Sequence, residues 1–291
     1  MTIAVYLPLV LGLPLWWSAP RLARRGSPAL AARALAGMAV VAAVCTTWSL
    51  GLLALTLFDD LPPLRTLDNH PTLELPEPVP GPIALVAALL LIGAAIRLVA
   101  DLHRRLGTVR QLRAVGTPHA GVVIADLDAP MAVAIPGRPG HLLVTTAILR
   151  VLDPDEQRVM FAHERAHLRH RHHALVVAAA AAAAVNPLLI PCRETVNYLV
   201  ERWADEEAAA QVGNRELTAR ALARAALATV RPEPLLGIDG GVAVRRVQAL
   251  ADPAPRPRRR RLLGTLILII AFAATATSAT VEFVNLARAW L

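Results

Sequence analysis

An H-E-x-x-H sequence at residues 163–167 most strongly constrains how this chain can fold. Positions four apart on an α-helix project from one face, so a helix brings the imidazoles of His163 and His167 within reach of a single metal ion. Glu164 then lies on the same side of the helix, where it can take a proton from a metal-activated water molecule. This arrangement is typical of zinc hydrolases.

The residues that precede the motif predict the helix that it needs. Asp153 is suited to the N-cap position, Pro154 to the first helical position, and Glu156 to the carboxylate of a capping box. Apolar residues on both sides of the motif give the helix faces for packing. We therefore predict a helix over residues 154–173.

A second motif, E-x-x-A-D at residues 201–205, lies in a stretch that is also helical by pattern, residues 198–212. We predict that Glu201 is the third protein ligand of the metal, which leaves one coordination position for water or substrate. Asp205, one turn further along, is placed to hydrogen-bond the free nitrogen of a ligand histidine and fix its tautomer. The alternative is a basic helix with solvated histidines beside a pair of surface carboxylates. The occurrence of both motifs in one chain favours the metal site.

Together the two motifs resemble those of the membrane-bound gluzincin metallopeptidases. One branch contains the BlaR/MecR-type antibiotic sensors, family M56, and a related branch is the HtpX-type family, M48. Residues 161–168 are similar to the H-E-x-x-H helix of both branches. Residues 130–134 and 142–149 resemble more weakly the short strands and entry helix that precede it. The resemblance covers residues 121–213. It implies a zincin-like helical protease domain with a small β-sheet, one Zn²⁺ per chain, and endoproteolysis.

The chain differs from the antibiotic sensors after its last apolar segment. The sensors carry an extracellular penicillin-binding domain there, whereas here only residues 282–291 follow. We therefore expect regulated cleavage of a protein or peptide substrate, such as a cytosolic transcriptional repressor, without a penicillin-binding sensor. One alternative is HtpX-like quality-control proteolysis of membrane proteins. Another is a non-catalytic membrane scaffold, against which the intact Glu164 argues.

Composition favours an integral membrane protein. Hydrophobic residues make up 55 % of the chain and the mean hydropathy is +0.48, both high for a soluble domain. The arginines gather at the ends of apolar segments, which favours membrane topology over direct nucleic-acid binding as the reason for the high pI. Four apolar segments are predicted to span the bilayer. They are residues 3–19, 35–58, 83–100 and 262–281.

The distribution of arginine predicts the orientation of these spans. The loop at residues 59–81 contains one arginine and several acidic residues, so the positive-inside rule places it outside and residues 101–261 in the cytoplasm. We predict three transmembrane helices in residues 1–100, a cytoplasmic zinc metallopeptidase domain in residues 101–255, and a basic run with a fourth helix in residues 256–291. The chain is then a mainly α, multi-pass protein of a bacterial plasma membrane, with its active site facing the cytoplasm. The oligomeric state is left open.

An apolar stretch at residues 174–185 lies between the two motifs. Twelve helical residues rise about 18 Å, less than the roughly 30 Å of a hydrocarbon core. A single crossing would also place His163 and Glu201 on opposite faces of the membrane. We therefore predict a buried or interfacial helix.

The remaining segments carry weaker signals. We interpret His170, His172 and His173 as a solvated basic helix end, with contact between His170 and a substrate as the alternative. Trp203 is predicted to pack between the two motif helices. The pattern of residues 215–250 predicts two amphipathic helices, and we assign them no catalytic or binding role. Short β-like runs predict a small sheet with an edge open to a substrate strand. These runs are residues 121–124, 131–135 and 141–145.

Overall fold

The structure is a computed structural model, and the part of the chain that it describes is mainly helical with one small sheet. The described residues are 5–10, 12–22, 26–57, 79–229 and 238–255, with helical residues at 270–271, 274–278, 280–281 and 284. The predicted outside loop, the basic run and much of the fourth predicted span fall outside these residues.

Two long helices have the length and composition needed to cross a membrane. Helices α1 (Leu7–Val10) and α2 (Gly12–Leu22) precede them, in the region of the first predicted span. The long helices are α3 (Pro28–Leu55) and α4 (Gly81–Arg113), with mean hydropathies of 2.0 and 2.6 over their most apolar stretches. They coincide with the second and third predicted spans. Four spans remain a prediction.

Helix α4 exposes most of its apolar surface. Only 17 % of its most apolar stretch is buried inside the protein, compared with 50 % for α3. A contiguous apolar surface of this kind is unfavourable in water and matches a lipid environment. The exposed residues include Leu85, Val86, Leu89, Leu90, Ile92, Ile96 and Val99.

The predicted sheet is present, with strand bounds within one residue of those expected. It consists of β1 (Val122–Ala125), β2 (Ala132–Ile135) and β3 (His141–Thr145), in the order β1–β3–β2. Strand β3 is parallel to β1 and antiparallel to β2. The end of α4 is attached to the β2–β3 loop, because the Arg113 guanidinium donates to the carbonyl oxygen of Pro136 at 2.9 Å.

Six helices follow the sheet among the described residues. The short α5 (Thr146–Val151) leads into α6 (Pro154–Arg169), which carries H-E-x-x-H. Next come α7 (His172–Val185) and, after a 3₁₀ turn at Pro187–Leu189, α8 (Ile190–Val212), which carries E-x-x-A-D. The last two are α9 (Arg215–Thr229) and α10 (Ile238–Ala251), the two amphipathic helices that the sequence predicts.

Helix α6 begins as predicted and ends four residues earlier than predicted. The Asp153 side chain accepts hydrogen bonds from the backbone N–H groups of Asp155 and Glu156, and Glu156 accepts one from the Asp153 N–H. At the other end, Arg171 adopts the left-handed conformation with φ 51°. The chain therefore reverses, and α7 begins at His172 instead of continuing α6.

Helix α7 is a packed helix of 14 residues, as its length predicts. Its alanines meet α3 and α8 in one core, where small side chains let the helices approach closely. Arg97 of α4 donates to the carbonyl oxygen of Ala184 at 2.8 Å and so satisfies a backbone group at the end of α7. Since α7 turns back within the protein, α6 and α8 lie side by side.

Glu156 links the start of α6 to α9 through ion pairs. Its side chain is fully buried and contacts two guanidinium groups, Arg224 at 2.6 Å and Arg220 at 3.2 Å. The same carboxylate completes the capping box. The Glu156 side chain thus accepts a hydrogen bond from the backbone N–H at the start of α6 and also links α6 to α9.

Replacing this carboxylate should destabilise the fold. We expect Glu156→Ala to lower the free energy of unfolding by about 2–3 kcal/mol, because a cap and charged hydrogen bonds are lost together. Thermal unfolding in detergent should show a midpoint roughly 5–10 °C lower. Asp155→Ala is the control, since its exposed side chain makes only a surface ion pair with Arg158. Equal midpoints for the two variants would contradict the assignment.

Candidate metal centre

Three side chains from α6 and α8 converge on one point. His163 and His167 come from successive turns of α6, and Glu201 faces them from α8. Each offers one donor atom, and the three atoms lie within 4.8 Å of one another. The structure therefore brings together the three residues that the sequence predicts as ligands.

The spacing of these atoms fits a tetrahedral metal ion. With ligand distances of about 2.0–2.1 Å, two ligands of a tetrahedral zinc ion lie about 3.3–3.4 Å apart. The Nε2 atoms of His163 and His167 are 3.2 Å apart. Each Nε2 also lies 3.5 Å from an oxygen of the Glu201 carboxylate. Two imidazoles and one carboxylate are a donor set typical of catalytic zinc.

Asp205 lies within hydrogen-bonding distance of His163 and is placed to set its tautomer. Its buried carboxylate lies 3.0 Å from His163 Nδ1, as the sequence predicts. A proton on Nδ1 leaves the lone pair of Nε2 directed at the centre. Burial favours the neutral form of His163, but the hydrogen bonds and negative charges of Asp205 and Glu201 outweigh it and raise its pKa to about 10. The metal-free site thus attracts positive charge.

Arg246 is a residue of the site that the sequence analysis missed. From α10, its guanidinium donates twice to Asp205, with both distances 2.8 Å, and lies 3.1 Å from Glu201 Oε2. Burial opposes ionisation of Glu201, but hydrogen bonding to His163 and the charges of His163 and Arg246 hold its pKa below the ordinary value. His163 and Arg246 therefore together favour the ionised form of both carboxylates. No local pattern distinguished it from the neighbouring Arg245.

Glu164 occupies the position expected of a general base. It follows His163 on α6, and the backbone N–H of Ala134 in β2 is near enough to favour its ionised form. Burial raises the pKa of Glu164 to about 7, with the charge of His163 opposing the rise and that of Glu201 adding to it. A carboxylate with this pKa can both accept and release a proton near neutral pH.

The histidines after the motif have different surroundings. His173 is exposed, in agreement with the predicted solvated end, whereas His172 is buried because the turn at Arg171 directs it inward. The prediction of a solvated end is therefore wrong for His172. Its Nδ1 lies 3.1 Å from Nδ1 of His167, and burial lowers its pKa to about 3. Trp203 packs against the rings of His170 and His172, with centroid distances of 4.6 and 4.5 Å.

The sequence of this region is similar to known peptidases. Residues 98–197 match Peptidase family M48. The chain is 46 % identical over 54 residues to a protein named "Protease HtpX homolog" from Thermoplasma acidophilum, and 45 % identical over 58 residues to one of the same name from Paraburkholderia phytofirmans. These alignments cover 17 % and 19 % of this chain, and they span 16 % and 20 % of the relatives' own lengths. No solved structure matches the chain.

Of the two branches that the motifs resemble, the comparisons support similarity to the HtpX-type branch and do not show similarity to the BlaR/MecR-type branch. The family match contains both histidines and Glu164 and ends four residues before Glu201. The carboxylate side of the centre is therefore supported by the E-x-x-A-D motif and by the geometry.

Removing Arg246 should destabilise the site and the fold around it. Only 4 % of the Asp205 side chain is exposed, so Arg246→Ala leaves a buried carboxylate without its main partner. Breaking a buried pair of this kind typically costs about 3–5 kcal/mol. We expect a clearly lower unfolding midpoint in detergent. Arg245→Ala removes the neighbouring guanidinium, which lies 5.3 Å from the Tyr198 ring, and should change stability by at most about 0.5 kcal/mol.

Proposed function

We propose that this chain is a membrane-bound zinc metalloendopeptidase with HtpX-like activity. The observation that carries the proposal is the convergence of two imidazole nitrogens and one carboxylate at tetrahedral spacing, with a buried glutamate beside them. The similarity of residues 98–197 to Peptidase family M48 supports it independently.

Each residue of the centre has one task in this proposal. His163, His167 and Glu201 hold the zinc ion. When bound, zinc acts as a Lewis acid that activates water and polarises the scissile carbonyl. Glu164 accepts the proton of the attacking water at its carboxylate and then donates it to the leaving amine nitrogen. Asp205 and Arg246 act through the ligands, because they fix the His163 tautomer and the charge of Glu201.

Strand β2 is the proposed binding edge for the substrate. Among the described residues it pairs with β3 alone, and its Ala134 N–H is near Glu164. An extended peptide added to this edge would therefore pass the general base. Pairing with a strand edge recognises backbone and requires no chain terminus, which suits an endopeptidase.

The membrane assignment determines the proposed substrate class. The length and composition of α3 and α4 support a location in a bilayer, and the arginine distribution favours its cytoplasmic side for the centre. The similarity to HtpX homologues favours proteolysis of membrane proteins in quality control over regulated cleavage of a cytosolic repressor. Whether the enzyme acts in quality control or in regulated cleavage, its partners are a protein substrate and the lipid bilayer.

Zinc content tests the ligand assignment directly. Purified full-length protein should contain close to one zinc ion per chain, because three protein ligands and a water molecule complete a tetrahedral site. The double variant His163→Ala/His167→Ala should contain almost none by elemental analysis. Its control is His103→Ala/His119→Ala, which removes two histidines outside the centre. Zinc retained by the first variant would refute the ligand set.

Catalysis tests the role of Glu164 separately from metal binding. Glu164→Gln keeps the size of the side chain and removes its basicity, so zinc content should be unchanged while peptide cleavage falls by about 10²–10⁴-fold. Glu201→Gln weakens a ligand and should lower zinc content and cleavage together. Wild-type cleavage by Glu164→Gln would favour a scaffold with a structural zinc ion.

A further inference from the structure

His172 lies directly behind one of the two proposed histidine ligands. It is 1 % exposed, and its Nδ1 is 3.1 Å from Nδ1 of His167. The position follows from the backbone, since Arg171 reverses the chain and the first residue of α7 then faces α6.

The contact between these two rings determines where their protons lie. Two imidazole nitrogens at this distance share one proton, so one donates and the other accepts. His167 directs its Nε2 at the centre, and a metal ligand needs a lone pair on that atom. Its proton is therefore on Nδ1, and Nδ1 of His172 is the acceptor.

We propose that His172 is a positioning residue for zinc, the hydrogen-bond acceptor that fixes the tautomer and ring orientation of His167. The inference rests on the zinc centre of the proposed function. It gives His167 the kind of support that Asp205 gives His163. His172 is neutral in this role and adds no third negative charge beside Glu201 and Asp205.

The surroundings of His172 show that its imidazole is not there for packing alone. Its other nitrogen, Nε2, is buried and has no hydrogen-bond partner among the described residues. A buried N–H without an acceptor lowers stability, so an apolar side chain of similar size would suit a purely structural role better. Trp203 packs against the ring on one side, and Arg33 of α3 lies 4.3 Å from the Trp203 ring centre. This stack holds the imidazole against His167.

Three substitutions at this position separate the acceptor from the packing. His172→Leu removes the acceptor. His172→Asn places its amide oxygen on Cγ, where the histidine carries Nδ1, and so keeps an acceptor facing His167. His172→Gln is equally polar but carries its amide one atom further out. His173→Leu is the control, because it changes the exposed histidine next to it.

The measurement is the zinc dissociation constant of full-length protein in detergent, obtained by competition with a chromophoric chelator. We expect His172→Leu and His172→Gln to weaken zinc binding by about 10–100-fold, the usual effect of losing a partner behind a metal ligand. His172→Asn should remain close to wild type, as should His173→Leu. The unfolding midpoint of the metal-free His172→Leu protein should not fall.

Each other outcome overturns the inference. Wild-type zinc affinity in His172→Leu would show that His167 needs no acceptor there. Equal losses in the Asn and Gln variants, with lower metal-free midpoints, would show a packing role, and this comparison decides the question if His172→Leu does not fold. Absence of zinc from the wild-type protein would instead refute the proposed function itself.

Discussion

The charge balance at Asp205 is the interaction on which the rest of the site depends. This buried carboxylate contacts Arg246 on one side and His163 on the other. A buried anion is unfavourable unless it is paired with a cation. Here Arg246 of α10 is permanently charged, whereas the charge of His163 of α6 depends on its protonation. Without a metal, two carboxylates face Arg246 and a protonated His163, so the charges balance.

The path of the chain between the two motifs brings α6 and α8 side by side. The two motifs are separated by an apolar helix that would divide the ligands if it crossed the membrane. The reversal at Arg171 and the small side chains of α7 instead let this helix fold back against α3. The same reversal positions His172. A single backbone feature therefore determines both the topology of the centre and the surroundings of one ligand.

Local sequence patterns predicted the parts of the structure that depend on local geometry. The capping box of α6, the spacing of His163 and His167, and the reach of Asp205 all follow from helical periodicity. Arg246 could not be found this way, because it lies 41 residues from Asp205 and meets it only after two helices have packed. His172 was misassigned because the turn before it uses an arginine at positive φ, where glycine would have marked a helix end. Orientation and substrate depend on the membrane and remain predictions.

The length of α4 has a consequence for where a substrate would be cut. Its 33 residues measure about 50 Å along the axis, roughly 20 Å more than a hydrocarbon core is thick. Its far end is hydrogen-bonded through Arg113 to the loop that carries β2. In the proposed enzyme, this helix would hold the β2 edge at a fixed distance from the lipid. That distance would then set how long the tether of a membrane-anchored substrate must be for one of its peptide bonds to reach the centre.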